Sequence, residues 1–160
     1  MGSRVVRSAP WAEKLWSPKD YKVIRGGRGS GKTYEVTRAL AIMGHQRPLT
    51  ICVAREHLKS ISKSALPELE ARMKELGLIR PDCYTVTREG IRHANGTVFW
   101  FIGISSVSEE DIKGLALVDI CWVEEAHMMS TSSWLILRPT IRKDGSRTCL
   151  LYTSPSPRDS

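Results

Sequence analysis

The chain has 160 residues, 41% hydrophobic, 26% charged and 7% aromatic, which suits one domain with a real core and is ordinary for a globular protein. No apolar run approaches membrane-spanning length, the amino terminus lacks the apolar stretch of a signal peptide, and Val6 stands where a myristoylation signal needs Ser or Thr, so a cytoplasmic type of chain is expected. The formal net charge of +7 suits a polyanionic partner, because a basic surface gains by releasing counterions from nucleic acid.

Residues 1–20 read as an irregular lead-in with Pro10, Pro18, Trp11 and Trp16. "YKVIR" (Tyr21 to Arg25) reads as a strand and "GGRGSG" as a glycine loop. A helix is expected from Lys32 to about Met43, with Gly44 as its stop. "LTICVA" (Leu49 to Ala54) reads as a second buried strand. From His57 to Leu76, Leu58, Ile61, Leu69, Met73 and Leu76 recur at helical spacing, and Pro67 must kink or restart that helix. The period then changes: "YTVTREGIRHANGTVFWFIG" carries an Asn95-Gly96 turn between extended segments, a hairpin signal. "SEEDIKG" reads as a short helix or turn. "DICWVEE" is the next buried strand, and Ser130 to Leu137 a helix with Pro139 just beyond it. This order implies an α/β fold with a mostly parallel sheet, flanking helices and a small hairpin. Four cysteines (Cys52, Cys83, Cys121, Cys149) and four histidines (His45, His57, His93, His127) show no metal-ligand spacing.

"GGRGSGKT" (Gly26, Gly27, Arg28, Gly29, Ser30, Gly31, Lys32, Thr33) fits G-x-x-x-x-G-K-[ST], between a predicted strand and a predicted helix. Glycines let the backbone turn several N–H groups toward one point, and the following helix adds the positive end of its dipole. Lys32 is then expected to reach the β- and γ-phosphates of a nucleoside triphosphate, and the Thr33 hydroxyl to join the shell of Mg²⁺. The dinucleotide pattern G-x-G-x-x-G fails, because Lys32 occupies its third glycine position.

The run Ile120, Cys121, Trp122, Val123 suits a strand buried on both faces, yet it ends on two adjacent acids, Glu124 and Glu125. One reading is that the strand surfaces and both acids are solvated. The other is that Glu124, at the strand tip, is an outer ligand of the metal, as in P-loop proteins, while Glu125 orients or deprotonates the attacking water. Arg28, inside the loop, either neutralises charge in the transition state, binds DNA, or ties the loop to a nearby acid. Arg55 and Arg142 are weaker candidates for the first role.

"YKVIRGGRGSGKT", "ICVAREHLKSISKSALPEL", "FWFIGI", "DIKG", "CWVEEAH" and "LRPTIRKDGS" come in the order and spacing of the ATPase domain of phage terminase large subunits, which this chain resembles from about Pro10 to Ser146. The resemblance implies an additional-strand P-loop fold and an ATP-hydrolysing motor that packages double-stranded phage DNA into the procapsid in the cytoplasm of an infected bacterium. By the same resemblance, Gly26 to Thr33 would be the Walker A loop, Glu124 the metal acid and Glu125 the catalytic carboxylate, with ATP and Mg²⁺ as ligands. Trp16 and Tyr21 are candidates to hold the adenine. Implied partners are a portal protein, a terminase small subunit and further copies of the chain in a homo-oligomeric ring, with no membrane. Another P-loop DNA translocase of helicase type, or a non-hydrolysing nucleotide-gated module that binds DNA or docks on the portal, stays open as an alternative. Lys59, Lys63, Arg72 and Lys74 are candidates for DNA contact, against the simpler reading of a solvated basic helix face.

After "PTIRKDGS" the family pattern calls for another strand, a coupling motif and a nuclease domain, whereas residues 147–160 read "RTCLLYTSPSPRDS". Cys149 to Asp159 can be encoded by a transposase-type sequencing adaptor read in frame, and a natural disordered tail is the alternative. The expectation is therefore a partial ATPase domain over 21–146 and a non-native tail over 147–160. The sheet would lack a strand, its edge beside "DICWVEE" would be bare, and the chain would be poorly soluble and nearly inactive.

Overall fold

The computed structural model describes residues 8–61 and 63–153. In chain order these form β1 (Tyr21–Gly26), α1 (Lys32–Gln46), β2 (Thr50–Arg55), α2 (Leu58–Ile61), α3 (Ala65–Glu75), β3 (Tyr84–Val86), β4 (Ile91–His93), β5 (Val98–Gly103), α4 (Glu109–Leu115), β6 (Ile120–Val123), α5 (Thr131–Thr140) and β7 (Arg147–Thr153). The strands make one seven-stranded sheet in the order β1-β7-β6-β2-β5-β4-β3. The pairings among β1, β7, β6, β2 and β5 are parallel, and β4 and β3 continue antiparallel.

Alternate residues of the central strands feed two apolar layers, as the period of two requires. Ile51, Val53, Ile120 and Trp122 enter a core shared with α1, α3 and the 3₁₀ turn Pro10–Trp16. Cys52, Ala54, Cys121 and Val123 enter the opposite core with Leu115 of α4 and Leu137 of α5. The expected α/β class, parallel order and hairpin are all present, and the Asn95-Gly96 turn joins β4 to β5.

Several boundaries differ from expectation for physical reasons. The lead-in is not irregular throughout: Pro10–Trp16 is 3₁₀-helical and buries Ala12 and Leu15. Gly44 does not stop α1 but lies inside it, and a Cβ there would stand 2.6 Å from the Tyr84 hydroxyl and 2.7 Å from Thr97 Cγ2. This glycine serves close approach of α1 to the antiparallel meander β3–β4–β5 rather than termination. The helical pattern from His57 breaks into α2 and α3, with Pro67 in the first turn of α3, where an N–H would lack an intrahelical acceptor anyway. Pro139 sits inside α5, in its last turn. There the Thr140 hydroxyl donates to Ile136 O at 2.6 Å and the Ile141 N–H to Leu137 O at 3.3 Å.

The main correction concerns the sheet. Residues 147–153 are not a bare tail but β7, inserted between β1 and β6 and parallel to both, so the sheet is not missing a strand there and β6 has no bare edge. That slot requires apolar side chains alternating to two layers. Cys149 and Leu151 fill one and Leu150 and Tyr152 the other, whatever the origin of the segment. The parallel end of the sheet is instead open at β1, where Tyr21 and Val23 are 54% and 55% exposed. Residues 1–7 of the lead-in and 154–160 of the tail lie outside the described residues.

Candidate functional site

The glycine loop leaves β1 at the carboxyl edge of the parallel strands and delivers the chain into α1. Gly29 and Gly31 take left-handed backbone conformations, φ 74° and 76°, which side chains with a Cβ resist. Gly31 caps α1 without a side-chain acceptor, so the N–H groups of the first turn, from Lys32 onward, face the loop's concavity. Lys32 is only 8% exposed. Its ammonium donates to Gly26 O at 2.6 Å, Gly27 O at 2.8 Å and Ser30 Oγ at 2.8 Å, which holds the cation at the mouth of its own loop. Burial lowers its pKa from the ordinary lysine value. Thr33 opens α1 beside it. Arg28 is exposed, and no hydrogen bond or ion pair joins it to an acid among the described residues.

Both acids stand at the same edge of the sheet. Val123 is in register with Leu150, and Leu150 with Val23, so Glu124 lies one step further along and level with Ile24, two residues short of Gly26. β7 alone separates the two strands, a lateral spacing of about 10 Å. Glu124, 7% exposed, donates its N–H to Ala54 O at 2.9 Å. Its Oε2 accepts from the Ser64 hydroxyl at 3.0 Å and lies 3.8 Å from Arg55 Nε. Burial pushes the Glu124 carboxyl up, Arg55 and Ser64 pull it back, and the charge of Glu125 adds to the rise. Glu125 is the one described non-glycine residue with positive φ, 50°. Its carboxylate pairs with Arg55 Nη2.

Arg55 therefore neutralises both acids from the end of β2. As a sequence it is a weak candidate for contact with the γ-phosphate, and the structure instead packs it on the carboxylates. Arg142 belongs to the connection that enters β7 at the opposite, amino edge, where its neighbour Lys143 pairs with Asp119 at 2.5 Å. Ser64 is a partner that sequence reasoning misses. Its position just before α3, 60 residues from Glu124, carries no local signal.

A cavity of about 800 Å³ runs from Trp11, Lys14 and Leu15 past Lys22 and Ile24 to Ser30 and Lys32. It joins the glycine loop to the 3₁₀ turn and has the size and apolar lining for a nucleotide base. Neither Trp16 nor Tyr21 lines it; Trp11 and Leu15 occupy that place, because the 3₁₀ turn directs them inward. Among the candidates for DNA contact, Arg72 lies over the Tyr34 ring at 4.2 Å and beside Glu75 at 3.2 Å, and Lys74 pairs with Glu70 at 2.8 Å. Lys59 and Lys63 are exposed around α2.

One cluster of metal-ligand types forms elsewhere, from residues the sequence scatters: His45, Cys83 and His93 bring their ligand atoms within 4.8 Å of one another. The Asn95 N–H donates to His93 Nδ1 at 2.9 Å, which directs the ring proton to Nε2 and so to His45 Nδ1, 2.8 Å away. A metal on Nε2 would have to displace that proton and break the turn. The geometry suits a hydrogen-bonded pair that fastens α1 to the meander.

A family model described as phage terminase large subunit matches residues 18–160. No curated protein matches the chain. Among solved structures, the large terminase from a thermophilic bacteriophage superposes with a TM-score of 0.64 at 18% identity, covering 84% of this chain and 34% of that one. Another crystal form of the same thermophilic phage protein, in complex with ATP-gamma-S, gives 0.61 at 16% identity, covering 84% and 32%. The N-terminal domain of the DNA packaging ATPase from bacteriophage phi29 gives 0.62 at 16% identity, covering 90% and 78%. At these identities the structural likeness is one of fold, and the chain spans about a third of the length of the thermophilic phage terminase.

Proposed function

The chain belongs to the phage terminase large subunit family, and on that premise we propose that it is the ATP-hydrolysing motor region of a machine that drives double-stranded phage DNA into a procapsid. One observation carries the reading. The loop that holds Lys32 and the adjacent acids Glu124 and Glu125 stand at one edge of one sheet, a single strand apart.

The residues fit a triphosphate and a divalent cation. The lysine ammonium already sits on three oxygen acceptors and exchanges them for β- and γ-phosphate oxygens. The first-turn N–H groups of α1 add fixed dipoles toward the same phosphates. A buried acid next to a second acid, compensated by a single guanidinium, is an arrangement that gains from a further positive charge. Thr33 and Glu124 would hold the Mg²⁺, directly or through its water. When bound, that ion supplies charge neutralisation on the β- and γ-phosphate oxygens. Glu125, more open to solvent, orients the attacking water and accepts its proton. Arg28 is free to swing over the γ-phosphate and neutralise charge in the transition state. The cavity lined by Trp11 and Leu15 takes the base. Arg55 must release Glu125 for this chemistry.

By family membership we extend the reading to a homo-oligomeric ring on the portal protein, loaded by a terminase small subunit in the cytoplasm of the infected host. Lys59 and Lys63, exposed at the same sheet edge, are the better placed of the basic candidates for DNA. The test is Glu125→Gln. ATP binding is expected within about threefold of the parent and turnover reduced by about 10²–10⁴-fold. Equal turnover in the two chains would reject the hydrolytic reading in favour of a nucleotide-gated binding module.

A further inference from the structure

We propose that Glu56 is a positioning residue for Glu125, holding the backbone of the acid loop while Arg55 deals with its side chain; the inference rests on the role given to Glu125 above. The loop leaves β6 and reaches α5 in seven residues, 124–130, and is tied at one end to Ala54 of β2 and at the other to Glu56, the residue just beyond β2. At its start the Glu124 N–H donates to Ala54 O at 2.9 Å, the last bond of the β2–β6 ladder. At its end the Ser130 N–H donates to Glu56 Oε2 at 3.1 Å.

Between those ties Glu125 is left-handed, a conformation a residue with a long side chain does not keep without constraint. A 3₁₀ turn over Ala126–Met128 follows, closed by Met128 N–H on Glu125 O at 2.8 Å and Met129 N–H on Ala126 O at 3.3 Å. Ala126 and Met129 reach the core, while Met128 is exposed. The Glu56 carboxylate is thus a side-chain tie at the entry of the chain into α5.

Glu56 is itself held. Its carbonyl accepts the Ser105 N–H at 3.1 Å, which fixes β2's exit against the end of β5. The Ser130 hydroxyl in turn caps α5 by accepting the Ser133 N–H at 3.2 Å. Burial raises the Glu56 carboxyl, but the hydrogen bonds from Ser130 and Ser133 and the nearby His57 outweigh it and leave the group below its ordinary value. It is therefore ionised at neutral pH, where an anion at the start of α5 is favoured by the helix dipole.

The adjacent residues Arg55 and Glu56 thus divide one task. Arg55 holds the Glu125 carboxylate in an ion pair, which the chemistry must open. Once that pair is open, the backbone ties at Glu124 and Ser130 still hold the loop that carries that carboxylate.

The experiment compares Glu56→Ala, Glu56→Gln, Glu125→Gln and the Glu56→Ala/Glu125→Gln double variant in the present chain. Steady-state ATP turnover, ATP-gamma-S affinity and amide hydrogen exchange at 125–130 are measured for each. Glu56→Ala is expected to lower kcat about 10- to 100-fold with nucleotide affinity within about twofold, since displacement of a reacting group by about 1 Å has an effect of that size. Glu56→Gln, which keeps the acceptor oxygen, should recover kcat to within about threefold of the parent. The double variant should turn over no more slowly than Glu125→Gln alone, because the two residues act as one unit. Exchange at 125–130 should quicken about tenfold in Glu56→Ala and not in Glu56→Gln, a readout that needs no turnover.

Unchanged exchange in Glu56→Ala overturns the proposal. So does a loss of turnover that multiplies in full with that of Glu125→Gln, or a loss matched by equal loss of nucleotide affinity. If Glu125→Gln turns over like the parent, the hydrolytic reading fails first and takes this one with it. A normal dependence on Glu125 with an indifferent Glu56 removes this one alone.

Discussion

At the scale of single residues, the site is governed by how few cations serve how many acids. Arg55 is the one guanidinium paired with both Glu124 and Glu125. Arg55→Ala should destabilise the metal-free chain by about 1–3 kcal/mol, the cost of leaving a charged group without its partner. Added Mg²⁺ should restore most of the loss by occupying the vacated charge. Thermal melts in EDTA and in Mg²⁺ measure both, and a variant indifferent to Mg²⁺ would show that the acids do not share a cation site. Glu124 gives a second prediction, with opposite signs for folding and binding. Its carboxyl is raised chiefly by burial, so protonation removes a buried charge. The stability it contributes is present at low pH and is lost as pH rises through the raised value. Affinity for Mg²⁺ with nucleotide should rise over that same window, which lies above the ordinary carboxylate range. Titrations across mildly acidic pH should show this dependence, and Glu124→Gln should flatten it. A parent chain with pH-independent metal affinity would contradict the assignment.

At the scale of elements, β7 decides whether there is a sheet to carry the site. It is the only strand between the loop strand and the acid strand. A chain ending at Ser146 would leave β1 unpaired and bare the inner edge of β6. It is expected to lose cooperative melting and to aggregate, measured by circular dichroism and size-exclusion chromatography against the 160-residue chain. A folded, monomeric 146-residue chain would show that β1 holds its place without β7. The expectation of a bare edge was mistaken because it treated residues 147–153 by their resemblance to an adaptor. Their alternation of Cys149, Leu150, Leu151 and Tyr152 is what a doubly buried parallel strand needs, and periodicity alone would have found it. Gly44 and Pro139 misled for a related reason. Glycine and proline are read as punctuation when only local conformation is considered. In the fold, Gly44 answers to Tyr84 and Thr97 from another element, and Pro139 falls where only one N–H of a last turn is forfeited.

At the scale of the whole molecule, the two layers of apolar residues bring distant segments to one edge of the sheet, and this is where sequence and structure divide. The sequence by itself determined the glycine loop, the lysine within it, the buried strand ending in two acids, the alternation of strands and helices, and with them the family. Each is a local pattern whose meaning is carried by covalent spacing: turn geometry, the 3.6 and 2.0 periods, and the need for glycine where φ is positive. Only the tertiary structure decided that β7 lies between β1 and β6, that Arg55 and Ser64 attend the acids, that Trp11 and Leu15 rather than Trp16 and Tyr21 line the cavity, and that Glu56 reaches across to Ser130. The side-chain contacts among these join residues up to 74 positions apart, and the β1–β7 pairing joins Tyr21 to Thr148. They follow from which faces the sheet buries and in what register its strands pair, and no local pattern along the chain encodes that.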